Sequence, residues 1–282
     1  MTIERKYFIK YYYIGVDGFY GSQRQTNHPS IEESIVNALK IKNYIKDTKS
    51  SEFRSASRTD RYVSARGAVF SFKIKKNLVL MEINSALPKE IGLWSYAMVP
   101  NDYSPRFNAI QRHYKYIFPY PISYLKKNYS IDLDIMKNAC EYLKGVHNFK
   151  NFSKRNKELT KETREMKYVK LNVNDDVLSI DFKSQGFLRQ QIRRIIKKIF
   201  ELGNGEITFN DFIDLFDTQE YISYEPADPR GLILWDIEYD LNVKFIVDEK
   251  SINRLNQYFH FQKYDYWLNY NLFNMMQKYD FS

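Results

Sequence analysis

Two successive stretches of this chain carry the same order of secondary-structure signals. That order limits the fold more than any other feature. Residues 7–13, Tyr-Phe-Ile-Lys-Tyr-Tyr-Tyr, are dense in strand formers and are closed by Gly15, Asp17 and Gly18. After a polar loop to Pro29, Ser30 and Glu33 form a capping-box pattern, and Ile31, Ile35, Ala38 and Leu39 share one helix face. Strands are expected at about 52–57 and 67–74, then a helix capped by Asn77 and ended by Pro88, then a strand over 91–99. The second stretch begins near Pro105. Alternation over 112–118 predicts a strand, Asp132 caps a helix through Leu143, and Gly145 lies just past its end. Strands follow near 164–173 and 177–184, then a helix over 186–202 with a broad apolar face. A short helix over 208–216 and a strand over 232–239 complete the set.

Each half therefore has the order β-α-β-β-α-β, the second with one extra helix. This is an α+β pattern: two ferredoxin-like (βαββαβ) halves, 1–104 and 105–240, whose antiparallel sheets join edge to edge into one sheet. No residue-level repeat accompanies it, so the duplication rests on element order alone. Residues 241–282 form an extension containing Trp267, Phe273, Met275 and Met276. It is too aromatic to be disordered by composition, and a helix packed on the body or on a partner subunit is expected.

A formal charge of +9, with 24 Tyr and 20 Phe among 282 residues, points to an acidic partner that aromatic rings can stack on. RNA fits better than a membrane, because no basic amphipathic helix carries an exposed apolar face. A low-GC genome also enriches Lys, Asn, Tyr and Ile, so composition makes nucleic acid the leading partner without proving it. No run approaches bilayer-spanning length, and Met1-Thr2-Ile3-Glu4-Arg5-Lys6 lacks a signal-peptide pattern, so a cytoplasmic protein is expected. The single Cys140 excludes an internal disulfide and a Cys-based zinc site; its spacing with Met136, Ala139 and Leu143 marks a packed helix residue.

The chemistry-bearing stretch is the polar corner between the second and third strands of the first half. Asp60 stands there with Arg54, Arg58, Arg61 and Arg66 close in sequence. Nearby guanidinium charge favours the ionised carboxylate. The residues alone admit two readings: a nucleophile or base working beside a polyanion, or a surface ion-pair cluster.

At Arg58-Thr59-Asp60 the sequence resembles the TruA family of tRNA pseudouridine synthases. Gly21-Ser22-Gln23-Arg24-Gln25 is similar to its Gly-Trp-Gln-x-Gln loop, with Ser22 in place of Trp. Arg106-Phe107-Asn108-Ala109 and Arg112-His113-Tyr114-Lys115-Tyr116 resemble its Arg-Phe-x-Ala and Arg-x-Tyr-x-Tyr segments. Gly145-Val146-His147-Asn148-Phe149, Phe187 to Ile195, and Gly231-Leu232-Ile233-Leu234 resemble three further motifs in the same order. The family usually continues Asp with Ala-Gly-Val-His; here Arg61-Tyr62-Val63-Ser64 follows, and Ser64 matches archaeal and eukaryotic-type members. Tyr62 stands where glycine would permit a tight turn.

The resemblance implies the pseudouridine synthase fold, no cofactor or metal, a tRNA substrate modified at anticodon stem-loop positions 38–40, and a homodimer. It implies that Asp60 is the catalytic carboxylate and that Arg193 pairs with it. Tyr114 would stack on the target uracil, Leu232 close the pocket, and Arg58 fill the space the flipped base vacates. Arg24, the 150–170 segment and the basic face of the 186–202 helix are candidate phosphate contacts. On residues alone, the favoured reading of Arg193 is a solvated basic face with Arg189, Arg194, Lys197 and Lys198. Two alternatives stand beside the leading function: an RNA-binding protein or tRNA chaperone that kept the fold and lost catalysis, and a synthase for other stem uridines.

Overall fold

The computed structural model describes residues 4–155 and 161–277. In chain order the first half holds β1 (Arg5–Tyr13), α1 (Ile31–Ile41), β2 (Arg54–Ser55), β3 (Ser64–Ile74), α2 (Leu80–Asn84) and β4 (Ile91–Val99). The second holds β5 (Gln111–Ile117), α3 (Ile122–Tyr129), α4 (Leu133–Tyr142), β6 (Gly145–Asn148), β7 (Thr163–Met166), β8 (Tyr168–Asn174) and β9 (Val177–Ser184). It continues with α5 (Gln191–Gly203), α6 (Phe209–Asp214) and β10 (Leu232–Glu238). β11 (Ile246–Val247) and α7 (Glu249–Met276) follow.

One nine-stranded sheet runs β11-β4-β1-β3-β10-β5-β9-β8, with β2 also paired to β3. Numbering strands within each half, both halves read fourth, first, third, second: β4-β1-β3-β2 and β10-β5-β9-β8. The α+β class and the edge-to-edge junction match the expectation. The wholly antiparallel sheet does not. β3 and β10 run parallel, pairing Ile233 with Ser64 and Leu234 with Ala65, whereas the other paired strands are antiparallel. The reason is geometric. Third and fourth strands are both antiparallel to the first, so two halves of equal orientation joined third-to-fourth must meet in parallel.

That junction also explains why β2 has two residues. β2 covers Phe70 and Ser71 on one edge of β3, and β10 takes the same edge at Ser64 and Ala65. Between them lies Gly67, where a Cβ would stand 2.8 Å from Asp236 Oδ1 and 2.9 Å from the Trp235 carbonyl oxygen. Only a residue without a side chain lets the two backbones approach there.

Apolar strand content follows burial. β1 is covered on both faces, and every residue after Arg5 is buried, which is why it reads as a near-continuous aromatic run. Ser30 caps α1 by accepting from the Glu33 N–H at 3.2 Å, and Asp132 caps α4 from Asp134 and Ile135.

Four element expectations change. The helix expected from Asn77 is only Leu80–Asn84, because buried Asn84 exchanges two 2.8 Å hydrogen bonds with the Leu93 backbone and turns the chain into β4. The 186–202 helix starts at Gln191, since Gln190 is left-handed (φ 61°). The single strand expected near 164–173 divides into β7, paired with β6, and β8. α3 follows Pro121 in a segment whose signal was polar and aromatic rather than periodic.

The extension is helical over Glu249–Met276. Its start packs on the first half: Asn84 donates to Ser251 Oγ at 3.1 Å, and Phe259 meets Tyr12 edge-on at 5.4 Å. Its far end carries Phe261, Tyr264, Trp267, Tyr270 and Phe273 exposed. The expected basic loop at 150–161 and the tail to 282 fall partly outside the described residues, as do Met1, Thr2 and Ile3. Among the described residues, no helix is long and apolar enough to cross a membrane.

Gly67→Ala is expected to destabilise the protein by about 1–3 kcal/mol through overpacking at the β3–β10 junction. Urea unfolding of the variant against the parent measures it.

Candidate active site

The corner between β2 and β3 is held from three sides. Ser22, buried in the loop before α1, accepts from the Thr59 N–H at 2.8 Å, and its own N–H donates to the Thr59 carbonyl at 3.2 Å. The Thr59 hydroxyl shares a 2.6 Å hydrogen bond with Tyr13 at the end of β1. Val63 N–H closes the turn onto the Asp60 carbonyl at 3.3 Å. Tyr62 takes the left-handed conformation (φ 67°) that glycine would adopt freely, so the turn forms despite the bulky residue. The opposing chain makes room for it. A Cβ on Gly15 would lie 2.3 Å from the Tyr62 carbonyl group.

Asp60 projects from this corner towards the second half. Arg193 Nη1 on α5 donates to Asp60 Oδ2 at 2.9 Å. Arg193 Nε donates to the Ala227 carbonyl at 2.7 Å. The guanidinium fork is therefore divided between the carboxylate and the backbone, rather than clasping Asp60 bidentately. Arg193 is 8% exposed, which rules out the solvated-face alternative. The Asp60 side chain is 36% exposed, open enough to meet a ligand. It lines a small niche with Gly15, Phe19, Gly21, Ile31, Tyr62 and Val63.

Tyr114 and Lys115 point to opposite faces of β5, as alternation predicted. Tyr114 is buried and packs edge-on against Phe187 at 5.2 Å, while Lys115 lies over Trp235 and 3.3 Å from Asp181. Burial pushes the Tyr114 hydroxyl up to about 12; Arg112 opposes this, and the Asp60 charge adds to it. The phenol therefore stays protonated within the electrostatic reach of Asp60. Leu232 is buried at the start of β10, opposite Tyr116 in register. Arg58 is exposed and makes no side-chain hydrogen bond or ion pair among the described residues. Arg24 is also exposed but is tied to Glu32 at 3.0 Å.

The remaining basic candidates separate. Arg194 is buried over the Tyr224 ring, and Lys197 and Lys198 share Glu201, so these three cations are already engaged within the protein. Lys150 Nζ donates to the Thr218 carbonyl at 2.6 Å. Arg66 sits over Trp235 and Trp94.

Three residues that position the site were not singled out for that role in the sequence. Ser22 replaces an aromatic with a hydroxyl that anchors the corner. The Ala227 carbonyl orients Arg193 from an irregular segment. Arg112, at the start of β5, donates to Ser57 Oγ and to the carbonyls of Ala56 and Arg106, each at 3.0 Å, and also bonds the Gln185 carbonyl. It fastens the root of the corner to the second half. The Arg-x-Tyr-x-Tyr spacing marked Arg112, but its partners are 55 and 56 residues away and invisible to pattern.

A family model described as tRNA pseudouridine synthase matches residues 139–240. Over 257 residues the chain is 35% identical to a tRNA pseudouridine synthase A of Methanosphaera stadtmanae, covering 90% of this chain and 91% of that protein. The chain belongs to the tRNA pseudouridine synthase family. Enzymes of the same description from Methanothermobacter thermautotrophicus (32% identical; 89% of this chain, 87% of that protein) and Methanosarcina acetivorans (33%; 89% and 91%) agree with this. The family is one of isomerases.

Ser22→Ala removes the acceptor for the part-buried Thr59 N–H. The expected loss is about 1–3 kcal/mol of stability, read as a lowered urea midpoint with unchanged slope.

Proposed function

We propose that the protein isomerises uridine to pseudouridine in tRNA, with Asp60 as the catalytic carboxylate. The observation that carries the reading is the Asp60–Arg193 pair: one ligand-accessible carboxylate aimed by a buried guanidinium, at the seam of the two halves. The reaction breaks the bond between ribose C1′ and uracil N1 and joins C1′ to C5. The C5 proton is lost and N1 gains one, so composition is unchanged. A carboxylate at C1′, C2′ or the ring serves as nucleophile or base. Arg193 fixes the direction of that carboxylate, with the Ala227 carbonyl holding the guanidinium plane.

The other roles follow the local chemistry. Tyr114 offers a neutral ring near Asp60 on which a detached uracil can stay stacked; such stacking is worth roughly 1–3 kcal/mol per base. Leu232 excludes water beside it. Arg58, exposed and without a side-chain hydrogen bond or ion pair among the described residues, suits insertion into the space left by a flipped base. Arg24 is the weaker phosphate contact, because Glu32 already offsets its charge. Anticodon stem-loop positions 38–40 are the proposed targets, by family resemblance.

Asp60→Ala is expected to abolish tritium release from uridine-labelled tRNA while tRNA binding stays within a few-fold of the parent. Full release by the variant overturns the assignment. Tight binding by the wild type with no product in a single turnover supports the binding-only alternative instead, and sequencing the product tRNA tests the positions.

We also propose that the protein self-associates through the far end of α7. Six aromatic residues there (Phe261, Tyr264, Tyr266, Trp267, Tyr270 and Phe273) are 60–66% exposed. At the usual area per aromatic side chain they present roughly 600–900 Å² of apolar surface. They are spread around the helix, and Tyr266, Trp267, Tyr270 and Phe273 share the one broad face that a second copy's α7 would cover. Residues 266–276 carry no charge, so a second copy meets no like-charge repulsion and RNA finds no cation. Light scattering should give twice the 33.9 kDa chain mass. Replacing Trp267, Tyr270 and Phe273 with Glu should return the chain to monomer.

A further inference from the structure

The corner that carries Asp60 also builds a stack that breaking and remaking a glycosidic bond does not require. The Arg61 guanidinium carbon lies 4.2 Å from the Tyr20 ring centroid and 4.5 Å from that of Tyr62. The His28 ring stacks on Tyr20 at 4.2 Å, with 19° between planes. Arg61 and His28 are equally close to one ring, so they occupy its opposite faces. The layers run His28, Tyr20, Arg61, Tyr62.

The stack is built rather than incidental. Asp17 Oδ1 accepts from the Tyr62 hydroxyl at 3.0 Å and from Arg61 Nη2 at 3.4 Å, locking two layers together. Arg61 Nε is buried without an acceptor among the described residues, so the guanidinium is used through its face. Tyr62 holds a left-handed backbone that bulky residues avoid, and such outliers persist only where their surroundings over-determine them. One end of the stack adjoins Asp60 in the chain and helps line its niche. The other end, Tyr20 and His28, is exposed.

We propose that this stack is a nucleobase platform. It receives, on the exposed His28 face, the base of a nucleotide flanking the target uridine, and so holds the strand while the target base sits at Asp60. This rests on the reading of the protein as a uridine-isomerising enzyme. Flat faces with one cation recognise the π-face of a base and not its hydrogen-bonding edge, so any of the four bases is accepted at that nucleotide. Specificity enters as the requirement for a base at that place.

The test is a double-mutant cycle on short stem-loop RNAs containing the target uridine, with an abasic residue placed 5′ or 3′ of it. For the wild type, one of the two abasic RNAs should raise both Kd and KM about tenfold, within the roughly 5- to 150-fold that base stacking supplies. His28→Ala, an exposed substitution, should raise them similarly on intact RNA and cause no further loss on that abasic RNA. His28→Phe, which keeps a flat ring on that face, should lose less than His28→Ala on intact RNA. Additive losses, or wild-type indifference to both abasic RNAs, overturn the platform. If the wild type makes no pseudouridine in intact RNA, the enzymatic reading fails, whereas the same cycle in Kd still decides the stack.

Discussion

The contact on which the site depends is the hydrogen-bonded ion pair between Arg193 and Asp60, 133 residues apart in the chain. A guanidinium as buried as Arg193 is costly to desolvate and is stable only with its partners in place. It has two: the carboxylate across the seam and the Ala227 carbonyl behind it. The carboxylate comes from a loop of the first half, the guanidinium from a helix of the second. The pair therefore forms only when the halves have joined, and the direction of the carboxylate is set by that union.

The joint itself is built to the tolerance such a pair needs. β3 and β10 meet over a two-residue parallel ladder, with Gly67 admitting the Trp235–Asp236 backbone and Lys10 bonding Asp236 across the seam. Arg112 adds side-chain hydrogen bonds from β5 to Ala56 and Ser57, immediately before the Asp60 corner. Burial lowers the Arg112 pKa while leaving it a cation at any ordinary pH, so the brace does not titrate. Fold assembly and site geometry share the same residues.

Much of the fold was legible because its signals are local. Helix caps at Ser30 and Asp132 appear where hydroxyl and carboxylate precede an apolar period, since a cap acts within three residues. The succession of sheet strands and helices along each half followed from alternation, helix period and turn residues. The misjudged elements are those where a distant partner overrides local preference. Asn84 is drawn to Leu93 and shortens α2, and the 164–173 segment divides because β6 claims its first part. Ser22 reads as an ordinary loop residue until the Thr59 backbone is brought against it.

Family resemblance marked Asp60, Tyr114, Arg193 and Leu232, and the sequence by itself determined the duplicated βαββαβ order and the basic and aromatic character. Those depend on side-chain type and spacing along the chain. Tertiary structure decided what they do to one another. It ran the central strands parallel, divided the Arg193 fork between Asp60 and Ala227, engaged Arg24 while leaving Arg58 exposed, and stacked Tyr20 and Tyr62 about Arg61. Burial, register and the sharing of a hydrogen-bonding group arise only between residues far apart in sequence, and no local pattern records them.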